Sequence, residues 1–147
     1  MNETAIIIPA RYNSTRLKGK PLIKVHDKPI IQWVFEKAVK ANLADRVIIA
    51  TDSEEIYDEA LLFGAEAEMT LDTHQSGSDR IAEVVERHPE ISYIVNLQGD
   101  EPLITSDSID TVIRDVRDNE EADISTLIRI LTDKKDIESP NCVKCVV

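Results

Sequence analysis

The segment 9–22 (PARYNSTRLKGKPL) concentrates positive charge in an otherwise acidic chain. The chain carries 28 acidic against 17 basic residues, yet no Asp or Glu occurs anywhere in 4–26. The residues of this segment suited to ligand contact are Ser14, Thr15, Gly19 and the cations Arg11, Arg16 and Lys20. Guanidinium groups bind phosphate through paired hydrogen bonds, and a lysine acts as a mobile point charge. Backbone N–H groups beside a glycine can also approach an anion closely. The pattern favours a triphosphate-binding loop over a merely solvated basic loop. It is not a Walker P-loop, which needs Ser or Thr where Pro21 follows Lys20.

The segment 72–80 (DTHQSGSDR) is rich in small and polar residues. Such residues can offer backbone and side-chain hydrogen bonds to a flat heterocycle or to a ribose. An ordinary helix start explains the same residues, because Ser78 and Asp79 are common capping residues, and His74 alone is no evidence of catalysis. The sequence leaves these two interpretations open.

The segment 96–102 (NLQGDEP) places two carboxylates directly after a glycine. Asp100 and Glu101 are suited to Mg²⁺, which usually takes one or two carboxylates together with phosphate oxygens. Gln98 offers both a donor and an acceptor for reading a base or a sugar. A polar β-turn is the alternative, because Gly-Asp is common turn chemistry.

Apolar patterning indicates which elements position these three segments. Strands are predicted at 5–8, 46–51, 67–70, 93–97, 123–130 and 143–147, with Pro9 ending the first. Helices are predicted within 30–43, from Asp52 or Ser53 to Gly64, from Ser78 or Asp79 to Pro89, and after Ser106 or Asp107. Gly64 is expected to form a left-handed C-terminal cap. This alternation predicts an α/β fold with three α/β/α layers and a mainly parallel sheet. Ligands then bind beyond the carboxyl ends of the strands, where all three segments fall.

Length and charge exclude several classes of protein. With 147 residues the chain is expected to form one domain, 1–147. A net charge of −11 argues against nucleic-acid or anionic-membrane binding, because the field repels polyanions. The longest apolar run is short of a membrane span and no signal core is evident, which predicts a cytoplasmic protein. The spacing of Cys142 and Cys145 is interpreted as two ordinary thiols, because no second pair exists for zinc.

With these motifs in order, the sequence resembles the 3-deoxy-manno-octulosonate (Kdo) cytidylyltransferase family. The resemblance is carried by five stretches that span the chain: IIIPARYNSTRLKGKPL, VIIATDSEEI, THQSGSDR, VNLQGDEP and PNCVKCVV. It implies a glycosyltransferase-A-like nucleotidyltransferase fold and Mg²⁺-dependent formation of CMP-Kdo and pyrophosphate from CTP and Kdo. It also implies a homodimer for the full-length enzyme.

The resemblance assigns roles to individual residues. It implies that Arg11, Arg16 and Lys20, with Ser14 beside them, handle the triphosphate. The nucleotide-binding loop that it implies consists of His74, Gln75, Ser76 and Gly77. By the same resemblance, Asp100 ligates Mg²⁺ and Gln98 lies where the nucleotide meets the sugar. Arg11, Lys20 and Asp100 are the residues expected to act in catalysis.

The sequence also departs from the family pattern. Lys18 replaces a proline that relatives usually carry, which adds a cation and frees one backbone angle, so Lys18 is expected to be dispensable. The chain ends on the apolar residues CVV, and the second metal-binding Asp and most sugar-binding residues of the family lie beyond Val147. The chain is therefore expected to be the N-terminal part of a longer enzyme and to be inactive alone.

Two alternative functions remain open. The enzyme could activate another acidic sugar, such as 8-amino-Kdo or a sialic-acid-like substrate, or the chain could be a non-catalytic nucleotide-binding fragment. A receiver or flavodoxin-like domain is disfavoured because its first loop is acidic or rich in Ser and Thr.

Overall fold

The computed structural model describes residues 3–13 and 17–145, so Ser14 and Arg16 lie outside the described residues. The strands are β1 (Glu3–Ala10), β2 (Lys24–Val25), β3 (Lys28–Pro29), β4 (Arg46–Thr51), β5 (Glu66–Met69) and β6 (Ile91–Asn96). The helices are α1 (Ile30–Ala38), α2 (Glu54–Leu62), α3 (Gly77–Arg87), α4 (Ser106–Asp118) and α5 (Lys134–Glu138). A 3₁₀ turn covers Lys20–Leu22.

Four parallel strands form the main sheet in the order β5-β4-β1-β6. Ile7 of β1 is in register with Ile48 of β4 on one side and with Asn96 of β6 on the other. A small antiparallel ribbon, β2 with β3, lies apart from this sheet and was not predicted. The parallel sheet confirms the predicted fold class.

Helices cover both faces of the sheet because the strand residues alternate between two apolar clusters. Ile6 and Ile8 of β1 pack in one cluster with α1, α2 and α4. Ala5 and Ile7 pack in the other cluster with α3. All four of these β1 side chains are fully buried, which explains the uninterrupted apolar run of this strand. The result is the predicted three-layer arrangement.

The prediction that Pro9 ends the first strand is wrong, since β1 continues to Ala10. Pro9 lies opposite Ala50 of β4, whereas the pairing of β1 with β6 ends at Ile7. The carbonyl of Ile7 accepts from Leu97, so the backbone groups of Ile7, and of Pro9 two residues later, are directed to the β6 side. The missing N–H of Pro9 therefore removes no ladder hydrogen bond.

Side-chain caps fix where the helices begin. Ser53 caps α2, as one of the two predicted alternatives. Helix α3 begins at Gly77, slightly earlier than predicted, because Ser76 and Asp79 form a capping box. Thr105 caps α4, one residue before the predicted cap. No helix within 3–13 and 17–145 combines the length and apolar composition needed to cross a bilayer.

The strands predicted at 123–130 and 143–147 are wrong over the described residues. Residues 123–133 and 143–145 have no regular structure, and Ile124 and Ile130 remain 86% and 88% exposed. An alternating pattern forms a strand only where another strand offers a free edge with matching register. Ser125 instead donates a hydrogen bond to Asp115 of α4, and 123–127 line a groove beside β6.

Candidate functional site

The carboxyl ends of the four parallel strands lie at one edge of the sheet. The segments that follow β1, β5 and β6 contain the three groups of residues predicted from the sequence. Parallel pairing of β1 with both neighbours brings the segments after β1 and β6 side by side, and β5 ends on the other side of β4. Side-chain contacts then join the three segments.

The segment after β1 folds back on itself around Gly19. The N–H of Gly19 donates to the carbonyl of Tyr12 at 2.8 Å, and Gly19 has the left-handed φ of 67°. A Cβ at this position would lie 3.3 Å from the ring of Tyr12, so glycine suits both the backbone angle and the space. The 3₁₀ turn begins directly afterwards at Lys20, and its second residue, Pro21, is buried, which fixes the backbone position of Lys20.

Lys20 reaches from this turn to the segment after β6. Its Nζ lies 2.6 Å from Oδ2 of Asp100, and the two side chains are 38% and 48% exposed. The structure therefore brings together the predicted phosphate-binding lysine and the predicted metal ligand. An ion pair this exposed contributes only about 0.2–1 kcal/mol to stability. Lys20 or Asp100 can therefore give up this contact and bind a ligand at little cost.

Arg11 joins the segment after β1 to the segment after β5. Its Nη1 donates to the carbonyl oxygen of Gln75 at 3.2 Å. Gly77, in the segment after β5, also lies close to the other two segments. A Cβ at this position would be 3.1 Å from Cγ of Pro9 and 3.6 Å from Nε2 of Gln98. All three predicted segments thus contact one another at this edge.

The segment after β6 is a tight turn. The N–H of Glu101 donates to the carbonyl of Gln98, so the predicted polar turn forms, and it presents Asp100 at its exposed side. Gly99 is buried at its centre, where a Cβ would lie 3.1 Å from both the carbonyl oxygen of Pro9 and Ile31. The side-chain amide of Gln98 donates to Oδ1 of Asn96 at 2.7 Å, which leaves the side-chain oxygen Oε1 of Gln98 as an acceptor.

The three side chains of the predicted nucleotide-binding loop have structural partners, and the amide of Gln75 donates to the carbonyl oxygen of Thr73 at 3.1 Å. The hydroxyl of Ser76 accepts from the N–H of Asp79 and donates to the Asp79 carboxylate. This donated hydrogen bond, and a second one from the backbone N–H of Ser76 to the same carboxylate, lower the pKa of Asp79. His74 contacts Glu83 of α3 through Nε2. Helix capping and nucleotide binding were open alternatives for this segment, and the capping interactions are present.

Glu83 of α3 holds the segment after β5 in place through hydrogen bonds to Leu71 and His74. Its carboxylate accepts from the N–H of Leu71 at 2.9 Å and contacts both His74 and Arg87. Burial raises the pKa of Glu83, but the hydrogen bonds from His74 and Leu71 and the charge of Arg87 outweigh burial and lower it. Glu83 is therefore held as a carboxylate beneath the loop.

Sequence reasoning missed Arg80, which lies in the first turn of α3 and is fully buried. It donates to Asp52 and Thr70, which directly follow β4 and β5. The only sequence signal was an acidic residue, Asp52, placed just after a buried strand. Helical periodicity gives no indication that an arginine at this position is buried.

The acidic residues at this edge suit a metal ion that arrives with a phosphate ligand. Across 3–13 and 17–145, no group of three or more His, Cys, Asp or Glu side chains is arranged to hold a metal. Asp100 supplies one exposed carboxylate, and Mg²⁺ characteristically combines one or two carboxylates with water and substrate phosphates. The donor set therefore fits a nucleotide-borne cation held by Asp100.

A protein-family model described as cytidylyltransferase matches residues 5–147. The chain belongs to the cytidylyltransferase family. It is 47% identical over 140 residues to a 3-deoxy-manno-octulosonate cytidylyltransferase of Fusobacterium nucleatum, covering 95% of this chain and 57% of that protein. It is 48% identical over 143 residues to one of Francisella tularensis, covering 96% of this chain and 57% of that protein. The chain thus spans little more than half the length of these cytidylyltransferases.

Solved structures of cytidylyltransferases share the fold. A CMP:2-keto-3-deoxy-manno-octonic acid synthetase complexed with CTP superposes with a TM-score of 0.76 and 39% identity, covering 81% of this chain and 49% of that one. A cytidylyltransferase from Leptospira borgpetersenii gives a TM-score of 0.72 at 25% identity, covering 82% of this chain and 51% of that one. These likenesses confirm the predicted nucleotidyltransferase fold and the resemblance to Kdo cytidylyltransferases.

Proposed function

We propose that this chain is the nucleotide-binding part of a cytidylyltransferase that activates Kdo with CTP. The products are CMP-Kdo, for lipopolysaccharide synthesis, and pyrophosphate. The proposal is supported by the family membership and by relatives about half identical to this chain that carry this name.

The observation that carries the proposal is the contact between Lys20 and Asp100 at 2.6 Å across the sheet edge. In this contact a cation from the segment after β1 meets a carboxylate from the segment after β6, and the Arg11–Gln75 hydrogen bond joins the segment after β1 to the segment after β5. A triphosphate with its metal ion requires this pairing of charges, because the lysine neutralises phosphate oxygens while the carboxylate holds the cation.

The proposed reaction is an in-line displacement at the α-phosphorus of CTP. The anomeric oxygen of the sugar forms the new bond to phosphorus and loses its proton, and the bond to the pyrophosphate oxygen breaks. Arg11 and Lys20 offset the negative charge that grows on the pyrophosphate. The chain contributes mainly position and charge, as this type of transfer requires.

Asp100 would hold a divalent cation, proposed to be Mg²⁺, on the phosphate oxygens. When bound, that ion withdraws charge from the α-phosphate. Gln98 lies beside Gly77, and Gln98 together with the backbone of 74–77 is proposed to contact the base or ribose. Ser14 and Arg16 are proposed to contact the triphosphate.

Nucleotide selectivity tests the first half of this proposal. Calorimetric titration of the full-length protein with CTP, ATP and GTP, each with Mg²⁺, is expected to show CTP binding most tightly. The Arg16→Ala variant should weaken all three, because it removes a phosphate contact. Equal affinities for the three nucleotides would contradict a cytidine-selective site.

A panel of acidic sugars tests the second half. Kdo is expected to support the fastest pyrophosphate release from CTP, ahead of 8-amino-Kdo and sialic acid. Faster release with one of the other sugars would replace Kdo as the substrate while leaving the cytidylyltransferase activity in place.

The remaining expectations are part of the same proposal. Residues 1–147 are proposed to form one nucleotide-binding domain of a longer enzyme, which is supported by the coverage of about half of the relatives' length. The full-length enzyme is proposed to act as a cytoplasmic homodimer. The net charge of −11 supports a protein that binds neither nucleic acid nor anionic membranes.

A further inference from the structure

Arg80 is an unusual residue for the interior of a small domain. Arg80 is the fourth residue of α3, which follows the Ser76 cap, and none of its surface is exposed to solvent. Moving a charged guanidinium out of water costs several kcal/mol before any pairing is counted. A buried arginine at this position therefore needs an explanation.

The guanidinium of Arg80 connects three elements at the carboxyl edge of the sheet. Its Nη2 donates to Oδ2 of Asp52 at 2.8 Å, and its Nη1 donates to the hydroxyl of Thr70. Asp52 directly follows β4 and Thr70 directly follows β5, whereas Arg80 itself belongs to α3. Nε has no hydrogen-bond partner among the described residues. Arg80 thus ties two strand ends to the helix that follows them.

These hydrogen bonds act at both ends of the segment 70–77, which contains the predicted nucleotide-binding residues 74–77. Thr70 is its first residue, and Gly77, three residues before Arg80, is its last. Gly77 packs tightly against Pro9, since a Cβ on Gly77 would lie 3.1 Å from Cγ of Pro9, and it lies beside the amide of Gln98. A shift of α3 toward or away from the strand ends therefore moves Gly77 relative to both neighbours.

Stability alone does not account for the pair. Replacing a buried ion pair by uncharged groups of similar size is often neutral or stabilising, because the desolvation cost disappears with the charges. We propose that Arg80, paired with Asp52, is a positioning residue that sets the base and ribose subsite by holding residues 70–77 against Pro9 and Gln98. This inference rests on the proposed function, because it assigns a nucleoside to that subsite.

The test compares two ligands that use different parts of the site. CTP would contact both the phosphate-binding segment and residues 74–77, whereas inorganic tripolyphosphate would contact only the former. In the Arg80→Met/Asp52→Asn double variant of the full-length protein, both charges are absent, so folding stability is expected to stay close to that of wild type. CTP affinity is expected to fall about tenfold, the loss expected when about one hydrogen bond to the nucleoside is no longer formed, and tripolyphosphate affinity is expected to stay within about twofold.

Two further variants make the comparison specific. Arg114→Met removes an exposed arginine from α4 on the other face of the sheet and is expected to leave both affinities unchanged. Arg80→Lys keeps the charge beside Asp52 but loses the forked contact with Thr70, so CTP affinity should fall between those of wild type and the double variant.

Each outcome decides one question. Wild-type CTP affinity in a stably folded double variant would overturn the inference and leave the proposed function intact. Equal losses for CTP and tripolyphosphate would also overturn it, because Arg80 would then support the whole site without favouring the nucleoside. Failure of the wild-type protein to bind CTP would instead overturn the proposed function.

Discussion

Replacing Lys20 by methionine should change metal affinity and nucleotide affinity in opposite directions. Lys20 forms an ion pair with Asp100 at 2.6 Å. The same lysine is proposed to neutralise phosphate when CTP binds. It therefore competes with a metal ion for Asp100 before CTP arrives and assists CTP afterwards.

The structure sets the size of both effects. With side-chain exposures of 38% and 48%, the ion pair is screened by solvent. Such a pair contributes about 0.2–1 kcal/mol, so Lys20→Met should raise the affinity of the free protein for a divalent cation by about 1.5- to 5-fold. A charge-assisted hydrogen bond to phosphate contributes about 1.5–3 kcal/mol, so CTP affinity should fall by about 10- to 150-fold.

Calorimetric titration of the full-length protein with Mn²⁺ alone, and then with CTP at fixed Mg²⁺, measures both quantities. Lys18→Met is the matched control: it removes a cation two residues away that lies 5.7 Å from the centroid of the Tyr12 ring. Both affinities of that variant should stay within about twofold of wild type. Weaker Mn²⁺ binding or unchanged CTP binding in the Lys20→Met variant would contradict this double role of Lys20.

Three further predictions concern the scaffold and can be checked by chemical denaturation. Gly99→Ala should destabilise the fold by about 1–3 kcal/mol, because the new methyl group would meet the Pro9 carbonyl and Ile31 at 3.1 Å; an unchanged midpoint would contradict this packing. Asp110→Ala should cost about 2–4 kcal/mol, since the carboxylate accepts from the backbone N–H groups of Asn42 and Leu43, whereas Asp110→Asn, which keeps one acceptor oxygen, should cost less. The pKa of His88 is raised, mainly by its hydrogen bond with Glu68 and also by the one with Glu90. Partial desolvation and the charge of Arg46 lower this pKa, but they are outweighed. The stabilisation by His88 should therefore be complete below its unfolded pKa of about 6.5 and be lost as pH rises through the higher folded pKa. The cost of His88→Gln should shrink accordingly over that range, and a cost that grows with pH would contradict the assignment.

The sequence predicted the elements whose signals are local. The buried runs that became β1 and β4 are continuous and apolar because both faces of the sheet are covered. The Ser53 cap and the left-handed Gly64, with a φ of 81°, were also predicted, because capping depends on a few adjacent residues.

The features that depend on distant partners were missed or predicted wrongly. The residues 123–130 alternate like a strand, but no described strand pairs with them, and sequence patterning does not report the pairing edge. Pro9 was expected to end β1 because its N–H is missing, yet that position lies beyond the end of pairing with β6. The burial of Arg80 depends on Asp52 and Thr70, which are 28 and 10 residues away.

The candidate site was predicted in composition but not in connectivity. The sequence indicated that the segments after β1, β5 and β6 carry cations, small polar residues and a carboxylate. The structure adds which of them meet, namely Lys20 with Asp100 and Arg11 with Gln75. It also shows that His74 contacts Glu83, a helix residue that charge patterning alone had assigned no role.

Pyrophosphate release by the full-length protein tests whether it transfers CMP from CTP to an acidic sugar. With CTP, Kdo and Mg²⁺ present together, we predict steady release that stops when the sugar, the nucleotide or the metal is withheld. The Asp100→Asn variant should lose this activity while remaining folded. Release that proceeds without any sugar, or no release with any acidic sugar, would contradict the account.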